Sequence, residues 1–226
     1  MINLWGLITT IAIFKLAEKT KKIPFFKNIP PVLITGIVLI IILKTFNLSF
    51  ESYNKSASFL TFLLIPATVS LGYPLYKNLK MLVKNKRIIY CAFAFASICA
   101  ITTTYLLAKL LKTDWNILIS MLPKSVTAPI AVEISKIIGG IPELTACVVV
   151  LTGVCGAVLG HYVLKWVNVK NDIAIGLSMG ATSHVIATSR CIEKGREKQV
   201  VMSTIALVVV GILTAFLAPL FLLMIK

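Results

Sequence analysis

Apolar positions in this chain fall in long continuous runs, with neither the three- to four-residue spacing of a surface helix nor the alternation of a half-buried strand. Residues 56–76, 88–108 and 144–164 are each 21 residues free of Asp, Glu, Lys and Arg, and 199–225 extends the pattern to 27. A helix rising about 1.5 Å per residue needs about 20 residues to cross about 30 Å of hydrocarbon. Two further runs, 28–43 and 173–189, are shorter at 16 and 17 residues. Together they predict an all-α polytopic membrane protein of about eight hydrophobic segments: 2–16, 30–46, 57–76, 88–111, 114–138, 143–165, 172–190 and 200–224. The connections are short, so the chain reads as a single integral membrane domain, 1–226. The apolar run at 1–14 is followed by its charges and by no small-residue cleavage site, which predicts a first span rather than a removable leader.

Three segments are not plain spans. In the third, Pro66, Thr68, Ser70, Gly72 and Pro74 crowd together; each proline removes a backbone donor and clashes with the preceding turn, so a kink or interruption is expected. The fifth carries Pro123 and Pro129, and Ala128, standing before a proline, is pushed out of the helical region. The seventh, "GLSMGATSHVIATSR", holds Gly176, Gly180, several hydroxyls and one of only two histidines. Whether 114–138 and 172–190 cross or re-enter is left open by the sequence. Ala67-Thr68 and Ala181-Thr182 stand half a chain length apart in interrupted segments, compatible with repeat halves 1–113 and 114–226. Interrupted segments at matching places in two halves point to a transporter's binding site.

Composition agrees: 58% of residues are hydrophobic and 14% charged, against about a quarter charged in soluble domains. The net charge of +15 would suit a nucleic-acid binder, but its cations lie between the apolar runs and no soluble domain presents a patch. Lys15, Lys19, Lys21, Lys22 and Lys27 form one cluster, and Lys77, Lys80, Lys84, Lys86 and Arg87 another. The intervening loops hold Lys44 with Lys55 and Lys109 with Lys112. Cationic loops stay cytoplasmic, so the alternation implies an outside N-terminus. If every segment crosses, Lys165 and Lys170 lie outside and Arg190, Lys194, Arg196 and Lys198 inside. The five cysteines lack a paired spacing and read as small packing residues. No metal, phosphate-loop or dinucleotide motif is present, so no metal or cofactor is expected.

Gly176, Gly180, His184 and Thr188 recur every four residues and would share one face, the glycines admitting another helix and His184 pointing into the bundle. His184 has two readings, an interhelical hydrogen bond or substrate and proton handling. His161, near the end of its span, reads as an interfacial anchor. Pro129 early in a fresh helix would leave the amides of residues 127–130 at a positive helix N-terminus suited to carboxylates. Glu133 is a first-turn acid, a partner for Lys124 or Arg190, or a proton-coupling group. Arg190 is a snorkelling cation or an attractor of an anionic substrate.

At "PATVSLGYPLYK" (66–77), "SVTAPIAVEIS" (125–135) and "GATSHVIATSR" (180–190) the chain resembles the LrgB/CidB family of bacterial membrane proteins, related to the plant plastid glycolate/glycerate translocator. It departs from the family pattern at Ala128, Val185, Ala187 and Ser189. The resemblance implies residence in the bacterial cytoplasmic membrane and two overlapping roles. One is holin- or antiholin-like modulation of murein hydrolase export and lysis with a small LrgA/CidA-type membrane partner. The other is carriage of small carboxylates such as pyruvate, glycolate or glycerate. Three interrupted helices bearing hydroxyls suit a carrier better than an oligomer that forms a lesion. The expected substrate-binding residues are Thr68, Ser70, Ser125, Thr127, Thr182, Ser183 and His184, with His184, Glu133 and Arg190 handling protons or charge. Homo-oligomerisation stays open. An enzyme is not expected, because Ser183 and His184 diverge by about 100° on a helix and make a poor nucleophile–base pair.

Overall fold

The structure, a computed structural model, describes residues 4–23, 29–70, 72–77 and 86–225, and no strand occurs among them. The chain divides into two compact units, 1–70 and 71–226. The first holds α1 (Trp5–Thr20), α2 (Pro31–Thr45), α3 (Phe50–Ser56) and α4 (Ser58–Ser70). The short α3 falls in what the apolar pattern leaves as a connection; Ser49 caps it by accepting from the Ser52 amide at 3.2 Å. α1 leans on α3 because Gly6 has no side chain: a Cβ there would meet the Tyr53 carbonyl at 3.0 Å. The Gly6 amide, in a first turn without an intrahelical acceptor, donates instead to Ser56 Oγ at 3.1 Å. α4 continues through Pro66 to Ser70, so the chain is not broken at that proline. A proline forfeits one bond of the ladder and bends a helix, but in apolar surroundings the remaining bonds keep it helical.

The second unit begins with α5 (Gly72–Lys77) and α6 (Lys86–Leu110). The expected fifth segment is two helices, α7 (Trp115–Met121) and α8 (Ala128–Ile138), joined by a turn at 122–127. Then come α9 (Pro142–Trp166), α10 (Asp172–Glu193) and α11 (Glu197–Ile225). Only α6 (from Ile89), α9 and α11 are both long and apolar enough to cross a membrane among the described helices. α6 and α11 run the same way, with Tyr105 and Phe221 stacked edge to face at 5.3 Å near their C-terminal ends. α9 runs against them, so that His161 near its end meets Gln199 near the start of α11.

The helices between these three are hairpins that enter and return at the same end. At the Leu110 end, Trp115 at the start of α7 lines one cavity with Ile137 and Ile138 from the close of α8 and with Pro219 and Leu222 of α11. At the opposite, Arg87 end, Asp172 at the start of α10 pairs with Arg196, just beyond its close, at 3.1 Å. Cys191 near the end of α10 packs back among Leu164, Ile175 and Val200. The return is possible because α10 is broken: Ser183 (φ −138°, ψ 19°) and His184 (φ 43°, ψ −136°) leave helical geometry and reverse the chain. Lys165 and Lys170 therefore share the Arg87 end with Lys194, Arg196 and Lys198, contrary to the alternation expected had each segment crossed.

Glycines set the spacing. Gly176 and Gly180 face the backbone of Gln199 and Ser203, where a Cβ would come within 2.8 Å of either residue's Cα. The contact follows the small-xxx-small pattern that lets helix backbones touch. Gly180→Ala should therefore lower stability in detergent by about 1–3 kcal/mol through overpacking. Gly36, where an added methyl would have nothing within 4 Å, should tolerate alanine or gain up to about 1 kcal/mol. Thermal melting of both variants checks this.

Candidate functional site

The tip of the α10 hairpin lies about halfway along α9. His184 is 3% exposed, and its Nε2 lies 3.0 Å from the carbonyl oxygen of Val149, so Nε2 carries the proton and donates. Gly153 makes room for the ring; a Cβ there would meet His184 Cε1 and Ile186 Cδ1 at 2.7 Å. Gly156 leaves space for the Ser183 side chain, and Gly160 for Met179. A histidine at φ 43° sits where L-residues seldom go, at a cost of order 1–3 kcal/mol. This is also where the expected single face fails. Gly176, Gly180 and Thr188 all point at α11, but the break swings His184 onto α9. Thr188 Oγ1 donates to the His184 carbonyl at 2.9 Å and therefore accepts from Ser203 Oγ at 2.6 Å. Thr182 is exposed and donates to Ser178 O at 2.8 Å, and Ser183 donates to Thr182 Oγ1 at 3.3 Å.

The tip of the α7–α8 hairpin holds Pro123, half-buried Lys124, Ser125 and Thr127. α8 starts at Ala128, with Thr127 as the extended N-cap (φ −64°, ψ 145°) and Pro129 in its first turn. The non-helical residue is thus Thr127 and not Ala128, because a proline in the first turn gives up an amide that has no intrahelical acceptor. No side chain caps this helix. Thr127 is 5% exposed, yet its Oγ1 has no hydrogen-bond partner. Ser125 is similarly buried beside it. The hairpin's base is tied differently: Thr145 Oγ1 of α9 lies 2.7 Å from Ser135 Oγ and 2.8 Å from Ser120 O.

Other expected residues lie apart from the tips. Glu133 pairs with Lys136 at 2.7 Å on an exposed surface, not with Lys124 or Arg190, because residues three apart on a helix are neighbours. Arg190 is half-buried on the returning arm of α10. Ser70 is exposed and bonds Ala67 O at 2.7 Å; Pro74 lies in α5; the side chains of Thr68 and Pro74 lie outside the described residues. His161, expected as an anchor, joins a relay at the Arg87 end: its Nε2 lies 3.2 Å from Gln199 Oε1, and Gln199 Nε2 donates to Asp172 Oδ1 at 2.7 Å. Ser203, the Val149 carbonyl and the relay's Gln199 and Asp172 are not among the residues that the sequence pattern singles out. Gly153, Gly156 and Gly160 on one helix face were the available signal for the docking surface.

An all-helical membrane protein with polar, broken helices reaching into its core is the class that this geometry defines. The chain matches the LrgB-like family over residues 10–224 and belongs to it. It is 32% identical over 214 residues to the uncharacterized protein YxaC of Bacillus subtilis (strain 168), covering 95% of this chain and 92% of that one. It is 37% identical over 191 residues to the antiholin-like protein LrgB of Bacillus mycoides (strain KBAB4) and to that of Bacillus cereus (strain B4264), covering 84% of this chain and 83% of each relative. No solved structure matches it.

The relay gives a pH dependence. Asp172, at the mouth of its hairpin and outside the three long apolar helices, has its carboxyl held below the ordinary range by the Gln199 hydrogen bond first and by Arg196 after it. A depressed folded-state value stabilises above the unfolded value of about 3.9 and is lost as pH falls through the folded one. Asp172→Asn should flatten part of the acid-side fall in melting temperature, and a melting series from neutral pH to about pH 3 reads it.

Proposed function

We propose that this protein is a carrier of small monocarboxylates of the pyruvate, glycolate or glycerate type, with no enzymatic step. The observation that carries the reading is the Thr127 hydroxyl, buried without a partner at the uncapped start of α8. A buried hydroxyl left unpaired costs about 1–3 kcal/mol, and beside free helix-start amides and Lys124 it fits a carboxylate oxygen. Ser125, buried two residues before it, supplies a further hydroxyl, while Thr182, Ser183 and His184 of the α10 tip, whose protons are held by Ser178, Thr182 and Val149, would exchange those bonds to reach the substrate. The Ser183 and His184 side chains bond different partners, which speaks against a nucleophile–base pair. The protein is multi-pass in the bacterial cytoplasmic membrane, with the cation-rich Arg87 end cytoplasmic and the N-terminus outside.

The name of the Bacillus relatives favours a second reading: an antiholin-like regulator of murein hydrolase activity and lysis that works with an LrgA/CidA-type partner. The two separate experimentally. Proteoliposomes should take up labelled pyruvate or glycolate, faster with an imposed pH gradient if His184 handles a proton. Absence of uptake across a panel of short carboxylates, with the protein shown folded, sinks the carrier. A change in autolysis on gene deletion that Thr127→Ala and His184→Ala both rescue fully would favour the regulator.

Thr127→Val is the sharper variant. It removes an unsatisfied hydroxyl at equal size, so melting temperature should hold or rise. Apparent affinity for the carboxylate should fall about 10- to 100-fold, the worth of a hydrogen bond to a charged group.

A further inference from the structure

The two hairpin-plus-span units have more in common than shape. Each is a hairpin followed by a long apolar helix: 115–138 with α9, and 172–193 with α11. They enter from opposite ends. Laid over each other at one constant spacing, Asp114 falls on Asp172, Ile117 on Ile175, Ser120 on Ser178, Met121 on Met179, Ser125 on Ser183 and Gly153 on Gly211.

The geometry keeps the same correspondence. Thr145 and Ser203, matched by that spacing, each use a hydroxyl to hold their own unit's hairpin, through Ser135 and Thr188 respectively. The matched glycines do the reverse and seat the other unit's hairpin. Gly153 of α9 makes room for His184 and Ile186, and Gly211 of α11 lies against Ile130, whose Cδ1 would be 3.1 Å from a Cβ. Both tips end in one buried core, which takes Leu122 and Val126 from the first hairpin and Ala181 from the second.

We infer that 112–168 and 170–226 are inverted copies of one hairpin-plus-span unit, and that Ser125 and Ser183 are equivalent positions flanking one ligand place from opposite membrane faces. Each hairpin is then the barrier between that place and the face from which it enters. Inverted repeats with sites at broken helices near the midplane are how many membrane carriers alternate access. The ligand's being a small carboxylate rests on the carrier reading; the repeat does not.

The test uses the full chain with Cys91, Cys99, Cys147, Cys155 and Cys191 replaced. Lys112→Cys and Lys136→Cys should react with a membrane-impermeant maleimide from one face, and Lys170→Cys and Lys194→Cys from the other. Reaction of the last two from opposite faces would mean that α10 crosses, and overturns the inference whatever the transport result. In Ser125→Cys and Ser183→Cys, a small thiosulfonate should react about tenfold more slowly with pyruvate or glycolate at about ten times its Kd. Protection at one position alone overturns the shared place. Protection at neither, with the four lysine positions as expected, sinks the carboxylate reading and leaves the repeat standing.

Discussion

A peptide group released from a helix inside hydrocarbon costs several kcal/mol unless protein or enclosed water satisfies it, and the second unit is arranged around that constraint. It contains two such releases, at the turn 122–127 and at Ser183–His184. Neither can face lipid, so each is carried inward on a hairpin and walled by the long helices α9 and α11. Where the polar groups find partners, as His184 does with Val149 and Thr188 does with Ser203, the break is locked in place. Where one does not, as at Thr127, the structure holds an unfilled demand for a hydrogen bond, and that is what a ligand can meet.

Close approach makes the walls fit. Apolar side chains gain nothing over lipid tails by meeting one another, so helices in a membrane associate through packing and backbone proximity. α10 uses this on both sides. Its own Gly176 and Gly180 admit α11, and Gly153, Gly156 and Gly160 of α9 admit its Met179, Ser183 and His184. A strained, polar segment is thereby held by contacts that single methyl groups would disturb. The strain at His184 is consistent with a conformation imposed from outside the segment.

The same arrangement reassigns charge. With α10 returning to its starting end, Lys165, Lys170, Lys194 and Arg196 gather around one cavity of about 490 Å³ that His161 and Gln199 also line. Asp172 offers a counter-charge to two of its lining residues, bonded by both Gln199 and Arg196. An anion approaching the α10 hairpin from this end would meet a cationic mouth before it met the tip. The opposite end mixes Lys109, Lys112 and Lys136 with Asp114, Glu133 and Glu143 and has no comparable field.

Much was legible from the chain alone. Uninterrupted apolar runs point to the helical membrane class, because a helix pairs its backbone within itself while the strands of a barrel would alternate apolar and polar positions, and Pro123, Pro129, Gly176 and Gly180 marked where the core would be polar. The family signatures fell on those same stretches. The direction of the short segments was not legible: a run of sixteen or seventeen uncharged residues can cross, tilt or turn back, and the break at Ser183 and His184, the latter at φ 43°, decides for α10. The facing of His184 was hidden for the same reason, since helical periodicity holds only up to the break. The repeat of hairpin and span was equally present in the letters, yet its matches are scattered. Only tertiary contacts, with Thr145 and Ser203 holding one hairpin each and Gly153 and Gly211 seating the other, decide that the spacing is structural: a sequence records which side chains exist, and packing determines which of them meet.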